Sequence, residues 1–234
     1  SSQSTDKADG GHSSNGSGTD NANGTGGVGG TDGADGDNQD TVTDNPLKIV
    51  ESGWSADQQG YVHYAFALRN TSKTQQVQYP QITITGRAKD GSIVFSQTQA
   101  LNMAFPNQTV YDAGQAGEGT APETVDFTVL NPDTYNVAKA QGTAAFPISG
   151  TSKIDNRDGG TTFNGEVRAV ADGFKPSDGQ QIKISLVLRN AQNAIIYGDI
   201  AFVDWPGNGR STPFSITVYD LPKYVSYDLY AQIW

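Results

Sequence analysis

The 234 residues contain no cysteine and only two histidines, His12 and His63. These shortages remove much reactive chemistry at once. A Cys–His dyad is impossible, and so is a zinc site built on cysteines or several histidines. A Ser–His–Asp triad would have to rest on His63. The disulfides that staple many small secreted domains are excluded as well. No apolar run reaches the roughly 18–20 residues that span a bilayer as a helix. No glycine-rich loop sits between a strand and a helix, where it would cradle phosphate. Basic residues are also few, 15 Lys and Arg against 25 Asp and Glu. They form no stripe that would neutralise nucleic acid and no polybasic anchor for anionic lipid. The start at Ser1, without Met or a signal peptide, reads as processed or truncated.

The acidity is unevenly spread. Residues 1–44 hold eight Asp and one Lys, so −7 of the net −10 lies there and the rest of the chain is close to neutral. Gly, Ser, Thr, Asn and Asp dominate this stretch, and it has no aromatic residue. Such a composition buries too little apolar surface to offset an ordering cost of about 1–2 kcal/mol per residue. Residues 1–45 are therefore expected to be a disordered tether with a reach of roughly 35–40 Å. Calcium-loop spacings are absent from its Asp32, Asp35, Asp37 and Asp40 series. Asn15 and Asn23 are glycosylation acceptors only in a eukaryotic source.

From Leu47 onward apolar residues alternate with period two between Gly, Asn, Asp and Pro clusters, the pattern of half-buried strands. Val62, Tyr64, Phe66 and Leu68 form one such series, and Ile182, Ile184, Leu186 and Leu188 another. No window shows helical periodicity. The segments also repeat. A shift of 99 places Leu47 on Phe146, Gly60 on Gly159, Tyr64 on Phe163 and Arg69 on Arg168. A shift of 100 then places Gln81 on Gln181, Ile82 on Ile182 and Ile84 on Ile184, with one or two residues inserted in the following hairpin. The expected fold is all-β: two tandem immunoglobulin-like sandwiches of about seven strands each, over 46–143 and 144–234. The short junction suggests copies that touch end to end.

The second copy reads "FNGEVRAV", "QIKISLVLRNAQNAIIYGDIAFVDW" and "STPFSITVYDLPKYVSYDLYAQIW". This resembles the FxLYD-type domains of bacterial surface lipoproteins, with their G-E-V strand, G-x-I-[IV] strand, P-F strand and aromatic last strand. Residues 146–234 carry the resemblance well and 47–142 more loosely. At the eponymous motif, Leu186-Val187-Leu188-Arg189-Asn190 has Arg where the family has Tyr. The resemblance implies an immunoglobulin-like sandwich outside the cell, attached through a lipid on a cysteine upstream of Ser1, with 1–45 as the spacer above the membrane.

The sequence offers no catalytic, cofactor-binding or metal-binding set. Glu123 with Asp126, or Asp199 with Asp204, are the carboxylate pairs available for glycosidase chemistry, but all four are expected to be solvated. His63 alternates with the apolar series and is expected on the surface. An internal Lys–Asn isopeptide bond would draw on Lys48 in the first strand, but its alternation with Leu47 and Ile49 turns it outward. The candidate ligand-binding residues are aromatic: Tyr230 and Trp234 on the last strand, and Trp54 and Trp205 in connections. Tyr and Trp favour interfaces and stack on sugars. Tyr230 and Trp234 either face outward, or pack against the other copy or cover a loop. The expected role is non-enzymatic presentation, with adhesion, scaffolding or capture of a protein or glycan at the cell surface. The alternative is an extracellular carbohydrate-binding accessory module.

Overall fold

The computed structural model describes residues 41–234. Residues 1–40, most of the expected tether, lie outside the described residues. From Thr41 the chain is already held. Thr41 bridges to Asp133, the Val42 amide donates to Pro132, and Asn45 caps Leu130 and Asn131.

The structure is all-β. Among the described residues the one helical element is a 3₁₀ turn at Thr134–Asn136. In the first half, β1 (Leu47–Ala56), β2 (Val62–Asn70) and β7 (Thr109–Ala116) form one sheet in the order β1-β2-β7. The facing sheet is β5-β4-β8, from β4 (Gln81–Arg87), β5 (Ile93–Ala100) and β8 (Thr124–Val129). Tyr64, Phe66, Leu68, Ile82 and Ile84 fill the space between them. In the second half, β11 (Ile148–Asp155), β12 (Thr161–Arg168) and β16 (Ser211–Val218) repeat the first arrangement as β11-β12-β16. Likewise β14 (Gln181–Arg189), β15 (Ile195–Asp204) and β17 (Ser226–Ile233) repeat the second as β15-β14-β17. Phe163, Val167, Ile184, Leu186, Phe214 and Ile216 make this core.

Smaller pieces close the ends. One is the trio β3 (Gln75–Gln78), β6 (Met103–Ala104) and β9 (Val137–Lys139). The other is the pair β10 (Thr143–Ala145) and β13 (Val170–Asp172). Here Met103 and Phe105, from the first half, join the second core, with Phe105 edge-on to Phe174 at 5.6 Å.

The matching topologies support the duplication but correct its register. The 99-residue shift holds through β1 and β2: Ile49 pairs with Leu68 as Ile148 pairs with Val167. In the next hairpin the shift is 102, not 100. Gly86 faces Phe95 as Leu188 faces Tyr197, and Ile84 faces Phe127 as Leu186 faces Leu229. The two turns have equal length, with the Ala88 amide bonding Ser92 and the Asn190 amide bonding Ala194. The three added residues lie in the connection from β12 to β14. The corrected register places Arg87 on Arg189 and Asp126 on Asp228, and both halves make this Arg–Asp bridge.

The copies do not meet end to end. The β1-β2-β7 sheet of the first half packs face to face on the β15-β14-β17 sheet of the second, so four sheets stack in one pile. Sheets buried on both faces lose the apolar–polar alternation of half-solvated strands. Accordingly β2 is buried at seven of its nine positions and β14 at eight of nine.

Candidate functional site: the seam between the halves

The seam is built from small residues at its centre and charged residues around them. Ala65, Ala113, Val187 and Ile195 form a closed apolar patch. Two glycines let the sheets approach. A Cβ on Gly198 would stand 2.3 Å from the Tyr64 carbonyl oxygen, 2.8 Å from Ala113 Cβ and 2.9 Å from Ala65 Cβ. A Cβ on Gly53 would overlap the Ile195 carbonyl. The duplicated positions on the outer faces differ in kind. Ala65 corresponds to Asn164, Ala67 to Glu166, Ala113 to Ser215, Gly198 to Ser96 and Val187 to Thr85. The same fold position is therefore polar where it meets water and small or apolar where it meets the other half.

On one side of the patch Arg189 organises an ion cluster. Its side chain is 6% exposed and forms two hydrogen bonds with the Glu51 carboxylate across the seam. It also donates to Asp228 at 2.7 Å and to the Asn193 carbonyl at 3.0 Å. The Tyr111 hydroxyl donates to Glu51 at 3.0 Å, and its ring stacks on Tyr230 from the second half at 3.7 Å and 6°. The bond from Arg189 holds the Glu51 carboxyl below its ordinary value, against burial. Glu51 in turn holds the Arg189 guanidinium further into its charged form.

On the other side lies a fully buried pair. Lys183 Nζ sits 2.8 Å from Asp112 Oδ1, with the two side chains 2% and 0% exposed. Gln232 Nε2 donates to the same Oδ1 at 2.9 Å and to the Tyr111 carbonyl at 3.3 Å. The Trp234 ring covers the amine at 4.2 Å and Phe202 at 5.9 Å. Asp112 Oδ2, Gln232 Oε1 and Ser185 Oγ are buried without a hydrogen-bond partner. Burial drives the Asp112 carboxyl up from its ordinary value, against the pull of Lys183, the Ala113 amide and Gln232.

The seam opens at one rim into a cleft of about 280 Å³ lined by Asp57 and His63 from the first half and Tyr197, Asp199, Tyr219 and Asp220 from the second. His63 is not the free surface residue expected from its alternation. It bonds Asp57 at 2.8 Å and stacks on Tyr197 at 4.9 Å, because the face of β2 that it occupies is covered by β15. Burial raises the Asp199 carboxyl above its ordinary value, while hydrogen bonds from His63 and the Tyr61 and Gln59 amides outweigh burial at Asp57 and lower it.

The aromatic residues singled out in the sequence are dispersed. Tyr230 lies in the seam against Tyr111, and Trp234 roofs Lys183. Trp205 packs half-buried against Phe146 and Phe174, and Trp54 against the first core. Asp199 and Asp204 lie five residues apart on β15, and Glu123 and Asp126 three apart at β8, so each pair falls on opposite faces. Lys48 is exposed, as its alternation implies. Among the described residues no grouping of three or more His, Asp or Glu side chains is placed to hold a metal ion. Lys183, Asp112, Arg189 and Glu51 were not singled out by sequence. In the corrected register Lys183 falls on Gln81 and Asp112 on Phe214, a contrast that marks the buried pair, whereas Arg189 falls on Arg87 and shows none. No family model matches the chain, and no curated protein matches it.

Proposed function

We propose that this chain is a non-enzymatic bacterial surface protein, anchored through a lipid upstream of Ser1, whose leading residues tether a rigid double sandwich for adhesion, scaffolding or ligand capture. The FxLYD-like residues of the second copy suggest the setting. The observation that carries the reading is the seam. Interlocked small residues and ion clusters from both halves make one stiff block, and a block that is already ordered pays no further ordering cost when a partner docks. The outer sheets carry Thr, Ser, Asn and Gln and end in open edges, where strand addition is available. Protease treatment of intact cells, with fractionation and lipid labelling, tests this. The reading expects digestion of the protein on whole cells and its release only by detergent. A protein protected in intact cells and soluble after lysis defeats it.

The rim cleft favours glycan capture as the mode of binding. Tyr219 supplies an exposed ring face, and Asp57 and Asp199 supply hydroxyl acceptors. A glycan array checks this: binding that disappears in Tyr219→Ala supports it, and an array without saturable binding removes it.

A further inference from the structure

We propose that Lys183 and Asp112 close a covalent amide bond across the seam, Nζ to Cγ, with release of one water. The inference rests on the seam geometry and is independent of where the protein works. A primary amine and a carboxyl are held in contact at 2.8 Å, from opposite sides of a packed interface, with both side chains buried. Reacting groups fixed at such separation gain the effective concentration of an intramolecular reaction. An ion pair here carries a desolvation penalty that its own attraction offsets only when every remaining polar atom is bonded. That condition fails, because Asp112 Oδ2, Gln232 Oε1 and Ser185 Oγ are orphaned. Buried orphans of this kind ask for an explanation.

Condensation supplies one for Asp112 Oδ2 and Gln232 Oε1. With the proton on Oδ2 the acid is neutral and the Lys183 amine keeps its lone pair. The lone pair forms the N–Cγ bond while the carbonyl electrons move onto Oδ1. Gln232 Nε2, already donating to Oδ1, holds the charge that develops there, as a preorganised donor should. Gln232 is the cross-strand neighbour of Lys183, and its free Oε1 is an acceptor for the N–H that turns acidic on attack. One amine proton passes to Oδ2, the Cγ–Oδ2 bond breaks, and water departs as the carbonyl reforms on Oδ1. Nothing is oxidised or reduced. The product has no buried charge, and the orphaned Oδ2 is gone. Trp234 and Phe202 shield the amine from bulk water, which disfavours the reverse hydrolysis.

The test is the intact mass of the full chain under denaturing conditions, followed by proteolysis and tandem mass spectrometry. The proposal expects a mass one water below that of the sequence, a branched peptide joining Asp112 to Lys183, and the full sequence mass in Lys183→Met. Aspartyl-glycine steps such as Asp90-Gly91 also lose water by cyclising, but that loss would survive in Lys183→Met. An unshifted wild-type mass, or a loss that persists in the variant, overturns the proposal.

Discussion

Replacing Gly198 by Ser, the residue at the duplicated outer position 96, tests the closeness of the sheets directly. The added Cβ would stand 2.3 Å from the Tyr64 carbonyl oxygen and within 3 Å of two alanine methyls. The first obstacle is backbone, so it cannot rotate away, and relief requires the sheets to separate by about 1 Å at the seam, a gap that forfeits a quarter to a half of each local contact. Overpacking of this kind costs about 1–3 kcal/mol, and the backbone clash argues for the upper end. For a unit of this size that corresponds to a fall in Tm of roughly 6–12 °C. Urea unfolding followed by far-UV circular dichroism measures it. Ser215→Ala, at the outer counterpart of Ala113, is the control and should stay within about 0.5 kcal/mol. A Gly198→Ser variant with the wild-type midpoint would show that the sheets do not interlock there.

Other consequences of the seam can be checked in the same assay. Arg189→Met leaves Glu51 and Asp228 without their partner, and because both carboxylates are partly solvated the cost should be about 2 kcal/mol, below the 3–5 kcal/mol of a fully buried pair; no change in midpoint would contradict the cluster. A Tyr111→Leu and Tyr230→Leu double-mutant cycle should give a coupling of about 0.5–1.5 kcal/mol from the stacked rings, and additive effects would refute the stack. The folded Glu51 pKa lies below its unfolded value, so its contribution is complete above the unfolded pKa and fades as pH falls through the folded one. Glu51→Gln should therefore flatten the acid limb of a stability-versus-pH curve, and an unaltered limb would exclude Glu51 as its source.

Strands, turns and the twofold repeat were legible because each half alternates apolar and polar residues between clear turn signals. Register was not. A slip of two residues on β14 keeps Ile182, Ile184, Leu186 and Leu188 on one face, so the alternation cannot distinguish a shift of 100 from one of 102. Only the ladder partners do, through the repeated Arg–Asp bridge. The seam escaped for a related reason. Alanines and a glycine on β2 and β15 read as neutral in a strand pattern, and Lys183 and Arg189 read as the solvated half of an alternation. The small residues take on meaning beside their duplicates, alanine against Asn164 and Glu166 and valine against Thr85, while Arg189 falls on Arg87 and gains none from the comparison. His63 breaks the pattern for the same reason: β15, not water, covers its face of β2.

The central claim is that both halves form one body joined at the seam, and the tryptophans permit a direct measurement of it. Trp54 reports on the first half, and Trp205 and Trp234 on the second. Equilibrium urea unfolding of Trp54-only and Trp205-only variants, each followed by fluorescence, should give coincident transitions that also match the far-UV signal. Two separated transitions, one for each half, would contradict the account.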